Sequence, residues 1–290
     1  MQTPTLSVVI LTYNERPHIR RCIERVRPIA TEIFVVDCHS TDGTQAIARA
    51  LGATVVEHDW PGCQADQFNW ALDNLPIAGD WTLRLDADEY LDEAALRELP
   101  AFLARQPRTV EGVTLRLGRV FLGRPMRHGL GTIRLLRVFR TGCGRCEGKL
   151  MDEHIHLRGA VADFDGAFVD HNLNDLSWWT RKHDGYALRE AVDLLLANDA
   201  TAKKQTYRRL PMFWRAAAYF VYRYFLRLGF LDGREGFLWH FLQGWWYRTL
   251  VDAKVLELHK CLNVTGGGKV SRGALRELLK SKGITLPDAP

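Results

Sequence analysis

The chain has 290 residues, 47% of them apolar, enough for one large α/β domain or for such a domain with an appendage. Its net charge of +5 is too small to argue for a nucleic-acid partner, and none is expected. No basic segment precedes the first apolar run and no apolar stretch reaches the roughly 18 residues of a spanning helix, so neither a signal peptide nor a transmembrane segment is expected. Six scattered cysteines read as reduced thiols of a cytosolic protein.

In chain order, LSVVIL (6–11) is a continuous apolar run, as in a strand buried on both faces. A helix follows over residues 18–27, with Pro17 suited to its first turn. IFVV (33–36) is a second buried strand, and STDG (40–43) turns and caps a helix that runs to residue 51. TVVE (54–57) is a third strand, residues 65–75 a helix, and WTLRL (81–85) a fourth strand. Strands alternating with helices predict an α/β fold, a mostly parallel sheet with helices on both faces. After Pro107, residues 113–119 and 133–140 alternate like antiparallel strands around the turn-rich LGRPMRHGLG. From Asp175 onward the pattern is helical. The reading is an α/β domain over residues 1–174 and a helical extension over 175–290.

Ligands of open parallel sheets bind at the carboxyl ends of the strands. Here the first strand ends in TYNE (12–15), the second in Asp37 and HSTD (39–42), and the fourth in DADE (86–89). Asp86 and Asp88 point the same way if the strand persists and splay if it breaks. Two carboxylates this close need a cation between them or a raised pKa. A divalent metal, Mg²⁺ or Mn²⁺, would supply the cation and bring a diphosphate with it. A D-x-D also occurs in solvated turns; its place after a buried strand favours the site. No G-x-x-x-x-G-K-[ST] is present and no G-x-G-x-x-G follows the first strand, which argues against a P-loop NTPase and a Rossmann dehydrogenase.

SVVILTYNE (7–15), EIFVVDCHSTDGT (32–44) and DWTLRLDADEYL (80–91), in this order and spacing, closely resemble glycosyltransferase family 2, inverting enzymes of the GT-A fold. EGKLMDEHI (147–155), KHDGYALREA (182–191) and LGFLDGREGF (228–237) further resemble a bacterial branch that builds lipopolysaccharide core and other surface glycans. The resemblance implies that Thr12, Tyr13, Asn14 and Glu15 line a nucleotide pocket, and that Asp37 holds uracil or ribose with Ser40 and Asp42 nearby. It implies Asp86 on ribose or metal, Asp88 on the metal that bridges the diphosphate, and His171 completing the metal site or touching the diphosphate; the alternative for His171 is a structural residue. Asn69, in what is a K/R-N-x-A pattern in many relatives, joins the nucleotide-sugar contacts, while Phe68 stands where those relatives carry the base. An inverting transfer needs a carboxylate to take the acceptor proton. The resemblance assigns it to MDEH (151–154), to Glu153 with Asp152 as substitute, the alternative being a solvated acidic turn. Arg137 and Arg140 are candidates for holding diphosphate or acceptor, with pairing to acids as the plainer account.

Cys143, Cys146, His154 and His156 could form a zinc site, but C-x₂-C-x₇-H-x-H does not match the usual finger and reads as thiols in a β-turn. Residues 203–248 carry nine basic and two acidic side chains, a net of +7. A helix over residues 208–228 would put Arg208, Arg215, Arg223 and Arg227 on one stripe beside Phe213, Trp214, Phe220 and Phe225. Such a helix suits an anionic lipid surface, or else packs with its arginines in water. The expectation is therefore a metal-dependent inverting glycosyltransferase. It would move a hexose from a nucleotide-diphosphate sugar, a UDP-sugar first, to a glycolipid or lipopolysaccharide-core acceptor. The protein would be cytoplasmic and peripheral at the inner membrane. The alternatives are a sugar-phosphate nucleotidyltransferase, whose first loop needs glycine where TYNERPH (12–18) has none, and a non-catalytic nucleotide-sugar-binding protein.

Overall fold

The computed structural model of the protein describes residues 3–147, 154–196, 210–263 and 270–281. The chain divides into two compact units, one of residues 1–125 and 132–173, the other of residues 126–131 and 174–290.

The first unit is built on a nine-stranded sheet. Its amino-terminal strands are β1 (Leu6–Thr12), β2 (Glu32–Asp37), β3 (Thr54–Glu57) and β4 (Trp81–Asp86). Every residue of β1 is buried, because β1 lies between β2 and β4 with both sheet faces covered. The helices are α1 (Ile19–Val26), α2 (Thr44–Ala50), α3 (Gln64–Asn74) and α4 (Glu93–Ala104). Helix α1 buries Ile19, Cys22, Ile23 and Val26, a one-sided stripe that faces the sheet. The Asp92 side chain caps α4 by accepting from the Ala95 amide at 2.7 Å.

The sheet continues through β5 (Glu89–Leu91), β6 (Val110–Phe121), β7 (Arg124–Pro125), β8 (Arg134–Arg140) and β11 (Ala160–Asp170). A two-stranded ribbon of β9 (Arg145–Cys146) and β10 (Ile155–His156) stands apart. The order along the sheet is β3-β2-β1-β4-β8-β6-β11-β5, with β7 on β6. Strands β8, β5 and the short β7 run against the rest, so the sheet is mixed but mostly parallel. The two antiparallel strands read from alternation after Pro107 are β6 and β8. Strand β5 pairs Glu89 with Asp170 and Leu91 with Phe168. That pairing returns the end of β11, and residues 171–173 after it, to the edge where β4 ends.

In the second unit α5 (Leu176–Leu196) packs against α8 (Tyr247–Cys261). Between them in sequence come α6 (Trp214–Val221), a π-helical turn at Tyr222–Leu226, a 3₁₀ turn at Gly229–Asp232, α7 (Gly233–Trp239) and a second π-helical turn at His240–Trp246; α9 (Arg272–Ser281) follows α8. The single helix expected over residues 208–228 is thus interrupted. The π turn shifts its phase, and Leu228 takes a left-handed conformation that ends it. Arg215 and Arg223 are consequently buried and Arg227 exposed, while Arg208 lies outside the described residues. No helix among the described residues is long and apolar enough to cross a membrane.

Candidate active site

The carboxyl ends of β2, β1 and β4 are neighbours in the sheet, so their three polar motifs meet at one rim. Asn14 and His39 both adopt left-handed backbone, which turns the two loops sharply out of β1 and β2. Asp37 joins them. It is fully buried, and its two oxygens accept four hydrogen bonds: from Thr12 Oγ1 at 2.7 Å, the Ser40 amide at 2.7 Å, Ser40 Oγ at 2.6 Å and Gln45 Nε2 at 2.7 Å. A carboxylate offers about four acceptor positions, so the expected contact of Asp37 with uracil or ribose has no acceptor capacity left; its role here is to hold the loops. The Asn14 amide donates to Ser40 Oγ at 2.7 Å and the Thr41 amide to Asn14 Oδ1 at 2.9 Å, which knits the motifs further. Asp42 accepts from the Arg16 amide and from Thr44; burial alone would raise its pKa, but these bonds hold it below the ordinary carboxylate value. Over this frame Tyr13 is 63% exposed, a ring with its faces open to a ligand.

Strand β4 breaks after Asp86, and Ala87 and Asp88 form a turn before β5, so the two aspartates splay. Both are half-exposed, while Glu89 beside them is buried. Arginines on the inner side balance this negative charge. Arg137 donates to Glu89 Oε1 at 2.6 Å, and Arg84 Nη2 lies 3.8 Å from Asp86 Oδ1. Arg21 Nη2 donates to the Asp88 carbonyl at 3.2 Å. Burial pushes the Glu89 carboxyl well above its ordinary range, and the Arg137 guanidinium opposes that shift. Arg137 is thus buried against Glu89 and over the Phe168 ring; the expectation that it holds diphosphate gives way to the pairing with an acid. Arg140 lies at the opposite end of β4, over Trp81, donating to the carbonyls of Val110 and Pro107.

His18, just before α1, and Arg21 within it connect the rim to the end of β11. His18 is fully buried; its Nδ1 meets Glu15 Oε2 at 2.6 Å and its Nε2 accepts the Leu173 amide at 2.8 Å. Arg21 meets His171 Nδ1 at 3.0 Å and donates to the His171 carbonyl at 2.5 Å. Sequence reading missed both, although Pro17 opening the helix places His18 and Arg21 one turn apart on one face. Arginine has no lone pair to offer, so His171 Nδ1 is the acceptor. Burial and the Arg21 charge hold the ring below the ordinary imidazole pKa, so it is neutral near pH 7 and its proton sits on Nε2. In this arrangement His171 presents an N–H donor, and the metal-ligand role expected of it does not fit. Asn172 Nδ2 donates to Asp88 Oδ2 at 3.0 Å and orients that carboxylate.

Among the described residues no three His, Cys, Asp or Glu side chains gather into a metal-binding group. What the rim offers is hard carboxylate oxygen at Asp88 and Asp86. That donor set fits a Mg²⁺ or Mn²⁺ ion that takes one or two carboxylates and completes its shell with phosphate oxygens. The alternative of a zinc site at Cys143, Cys146, His154 and His156, not favoured from the spacing, finds three of these side chains engaged otherwise. Arg84 Nη1 donates to Cys146 Sγ at 3.2 Å, and Glu147 takes His154 at 2.7 Å and His156 at 3.3 Å.

Asp152 and Glu153 lie outside the described residues. The ribbon that leads to them is described: Cys146 pairs with Ile155, and the Glu147 amide donates to the His154 carbonyl. Asn69 clamps this ribbon with both halves of its amide, Nδ2 to the Cys146 carbonyl at 3.0 Å and Oδ1 from the Cys146 amide at 2.9 Å. Its expected contact with the nucleotide sugar is thereby replaced by a positioning one. Arg145 pairs with Asp73 of the same helix. Phe68 is fully buried with the Arg84 guanidinium 5.1 Å above its ring, so a cation from β4 lies over the position where a base of α3 was expected.

The model of the family described as glycosyl transferase family 2 matches residues 7–152, half of the chain. A lipopolysaccharide core biosynthesis glycosyltransferase of Rhizobium meliloti, LpsC, is 27% identical over 88% of this chain and 93% of its own. An uncharacterized glycosyltransferase of Rickettsia bellii is 40% identical over 36% of this chain and 34% of its own, and a low-salt glycan biosynthesis hexosyltransferase of Haloferax volcanii, Agl6, is 39% identical over 34% of this chain and 24% of its own. The chain thus spans about a third of the length of the rickettsial relatives it matches. With its three strand-end motifs on one rim and the family match running across all of them, the chain belongs to glycosyl transferase family 2.

Proposed function

We propose that this enzyme transfers a hexose, with inversion, from a nucleotide-diphosphate sugar to a hydroxyl of a glycolipid or lipopolysaccharide-core acceptor. The donor is a UDP-sugar, and the enzyme works in the cytoplasm at the inner face of the inner membrane. One observation carries the reading: Asp88 stands in the turn after β4 with its carboxylate half-exposed, oriented by Asn172, beside a backbone bolted by Arg21. The relation to a lipopolysaccharide-core glycosyltransferase along 88% of the chain supports the acceptor class, and a hexosyltransferase among the relatives supports the sugar class.

In this reading Tyr13 stacks on the nucleobase, and the loops knit by Asp37, Asn14 and Ser40 keep that ring in place. Asp86 and Asp88 would hold a divalent ion, which when bound supplies positive charge to the departing diphosphate. His171, with its proton on Nε2, donates to a phosphate oxygen, and Arg21 fixes its tautomer from behind. Glu153, or Asp152 in its place, takes the acceptor proton on the far side of the sugar. The Asn69 clamp keeps Cys146, in the described part of the ribbon, in register with α3.

The test is a panel of UDP-sugars incubated with purified enzyme and Mn²⁺ or Mg²⁺, with and without acceptor glycolipid, read by UDP release. Release from one hexose donor, stimulated by acceptor, is expected. No release from any member sinks the proposal, and release of pyrophosphate from a sugar phosphate and UTP would replace it with nucleotidyl transfer.

A further inference from the structure

The helical unit distributes its side chains in reverse. Asp252, 1% exposed, accepts Arg215 Nε at 2.9 Å and the Phe213 amide at 2.8 Å. Asp232, also buried, accepts from the Arg127 and His128 amides and pairs with His128 Nδ1 at 2.7 Å. Arg223 is buried under the Tyr219 ring, and His240 is buried against Gly129 and Gly229. Four charged or titratable groups of this stretch and its partners, Asp252, Arg215, Asp232 and Arg223, have thus been taken inside. Outside lie Phe225, Leu226, Leu228, Phe230, Leu231 and Phe237, with Leu226 at 72% exposure. The three phenylalanines are grouped, surrounding Tyr224 at ring separations of 5.1, 6.3 and 5.6 Å, and the three leucines are their neighbours in sequence. Single exposed apolar residues need no explanation, but a grouped face of large ones marks a surface that is covered in use.

The charges around this face select what covers it. Over residues 210–250 the exposed charged side chains are Arg227 and Arg234, while both acids, Asp232 and Glu235, are buried or half-buried. A second copy docking isologously would bring its own Arg227 and Arg234 to the same face, with no exposed acid from this stretch to meet them. Phospholipid phosphate meets both. We propose that this face docks on a bilayer containing anionic phospholipid. Phe225, Leu226, Phe230 and Leu231 enter the boundary between headgroups and acyl chains, and Arg227 and Arg234 bind lipid phosphate. This deepens the proposed function, on which it rests for placing the enzyme at a membrane, and it holds whichever hexose is transferred.

The test is flotation of the full chain with vesicles of phosphatidylcholine alone and of phosphatidylcholine with phosphatidylglycerol. Binding to the anionic vesicles, weakened by salt, is expected. Leu226→Asp with Leu231→Asp should lower that binding at least about tenfold while the thermal midpoint stays unchanged, since both positions are solvent-facing. Arg227→Ser with Arg234→Ser should lower it about thirtyfold on anionic vesicles and leave the weak binding to neutral ones unaltered. UDP release measured without vesicles should not change in either variant. Loss of vesicle binding by the native chain with turnover intact overturns the docking face alone; absence of turnover with docking intact overturns the transfer reading alone. A native dimer that Leu226→Asp with Leu231→Asp dissociates, with no affinity for either vesicle, would assign the face to a second copy and overturn the proposal.

Discussion

The rim of the sheet and the helical unit use arginine in the same way and present opposite surfaces. At the rim Arg137 and Arg84 lie on the inner side against Glu89 and Asp86, and Arg21 holds the Asp88 carbonyl, while Asp86 and Asp88 keep their carboxylates half in solvent. In the helical unit Arg215 and Asp252 are both inside, and phenylalanine and leucine stand outside. The contrast teaches that a count of basic residues does not name a partner. Where a guanidinium meets an acid inside, its charge does not reach the surface, so the outward charge is negative at the rim and sparsely positive over residues 210–250. The first surface suits a bound cation and its phosphate ligand, the second a lipid phosphate.

Four measurements test the contrast between rim and helical unit. The largest effect is expected at the rim. Asp88→Asn should lower turnover on the order of 10³-fold, read by UDP release, while stability moves by only about 0.5 kcal/mol because the side chain is half-exposed and Asn172 can still bond an amide oxygen. Unchanged turnover would leave the rim acids without a function. In the helical unit the cost should be structural instead. Asp252→Ala removes the buried acid that Arg215 meets and should destabilise the protein by about 3–5 kcal/mol in urea unfolding. A loss under about 1 kcal/mol would mean that the buried pair is not what orders this unit.

Asn69→Ala comes next. Removing the clamp leaves the buried backbone groups of Cys146 unpaired and should cost about 1–3 kcal/mol. It should also lower kcat without changing the KM for the donor, because Asn69 holds the ribbon and not the nucleotide. A rise in donor KM alone would restore the nucleotide contact.

The smallest effect is the pH dependence. Burial lowers His183 and His240, both in the helical unit, to about 4 from the ordinary 6.5. A base whose folded pKa is depressed contributes its stability fully above the unfolded value, and that contribution is lost as pH falls through the folded value. Thermal midpoints should therefore be flat above about pH 7 and fall between roughly pH 6.5 and 4, with the helical unit loosening first. His240→Gln should flatten part of that slope; an unaltered slope would show that His240 does not govern it.

Much of the first unit was legible in the residues. Continuous apolar runs marked the buried strands, Pro17 marked a helix start, and polar residues at three strand ends marked the rim. What individual rim residues do was not legible, because hydrogen-bond partners come from distant segments. Asp37 is filled by Thr12, Ser40 and Gln45; His171 is tautomerised by Arg21, 150 positions away; Asn69 meets Cys146, 77 positions away. The arginine stripe of the second unit misled for a related reason. A fixed 100° period assumes an unbroken α-helix, and the π turn at Tyr222–Leu226 displaces every later side chain.

By itself the sequence determined the class of sheet, its buried strands, and which edge carries acids, since these follow from local hydrophobic period and from where polar residues interrupt it. The tertiary structure alone decided which acids stay half in solvent, which nitrogen of His171 holds the proton, and that Arg215, Arg223, Asp232 and Asp252 of the helical unit are buried. Those outcomes depend on which groups meet across the fold, and burial makes each meeting all-or-none: an ionised or polar group that leaves water must find its partner inside.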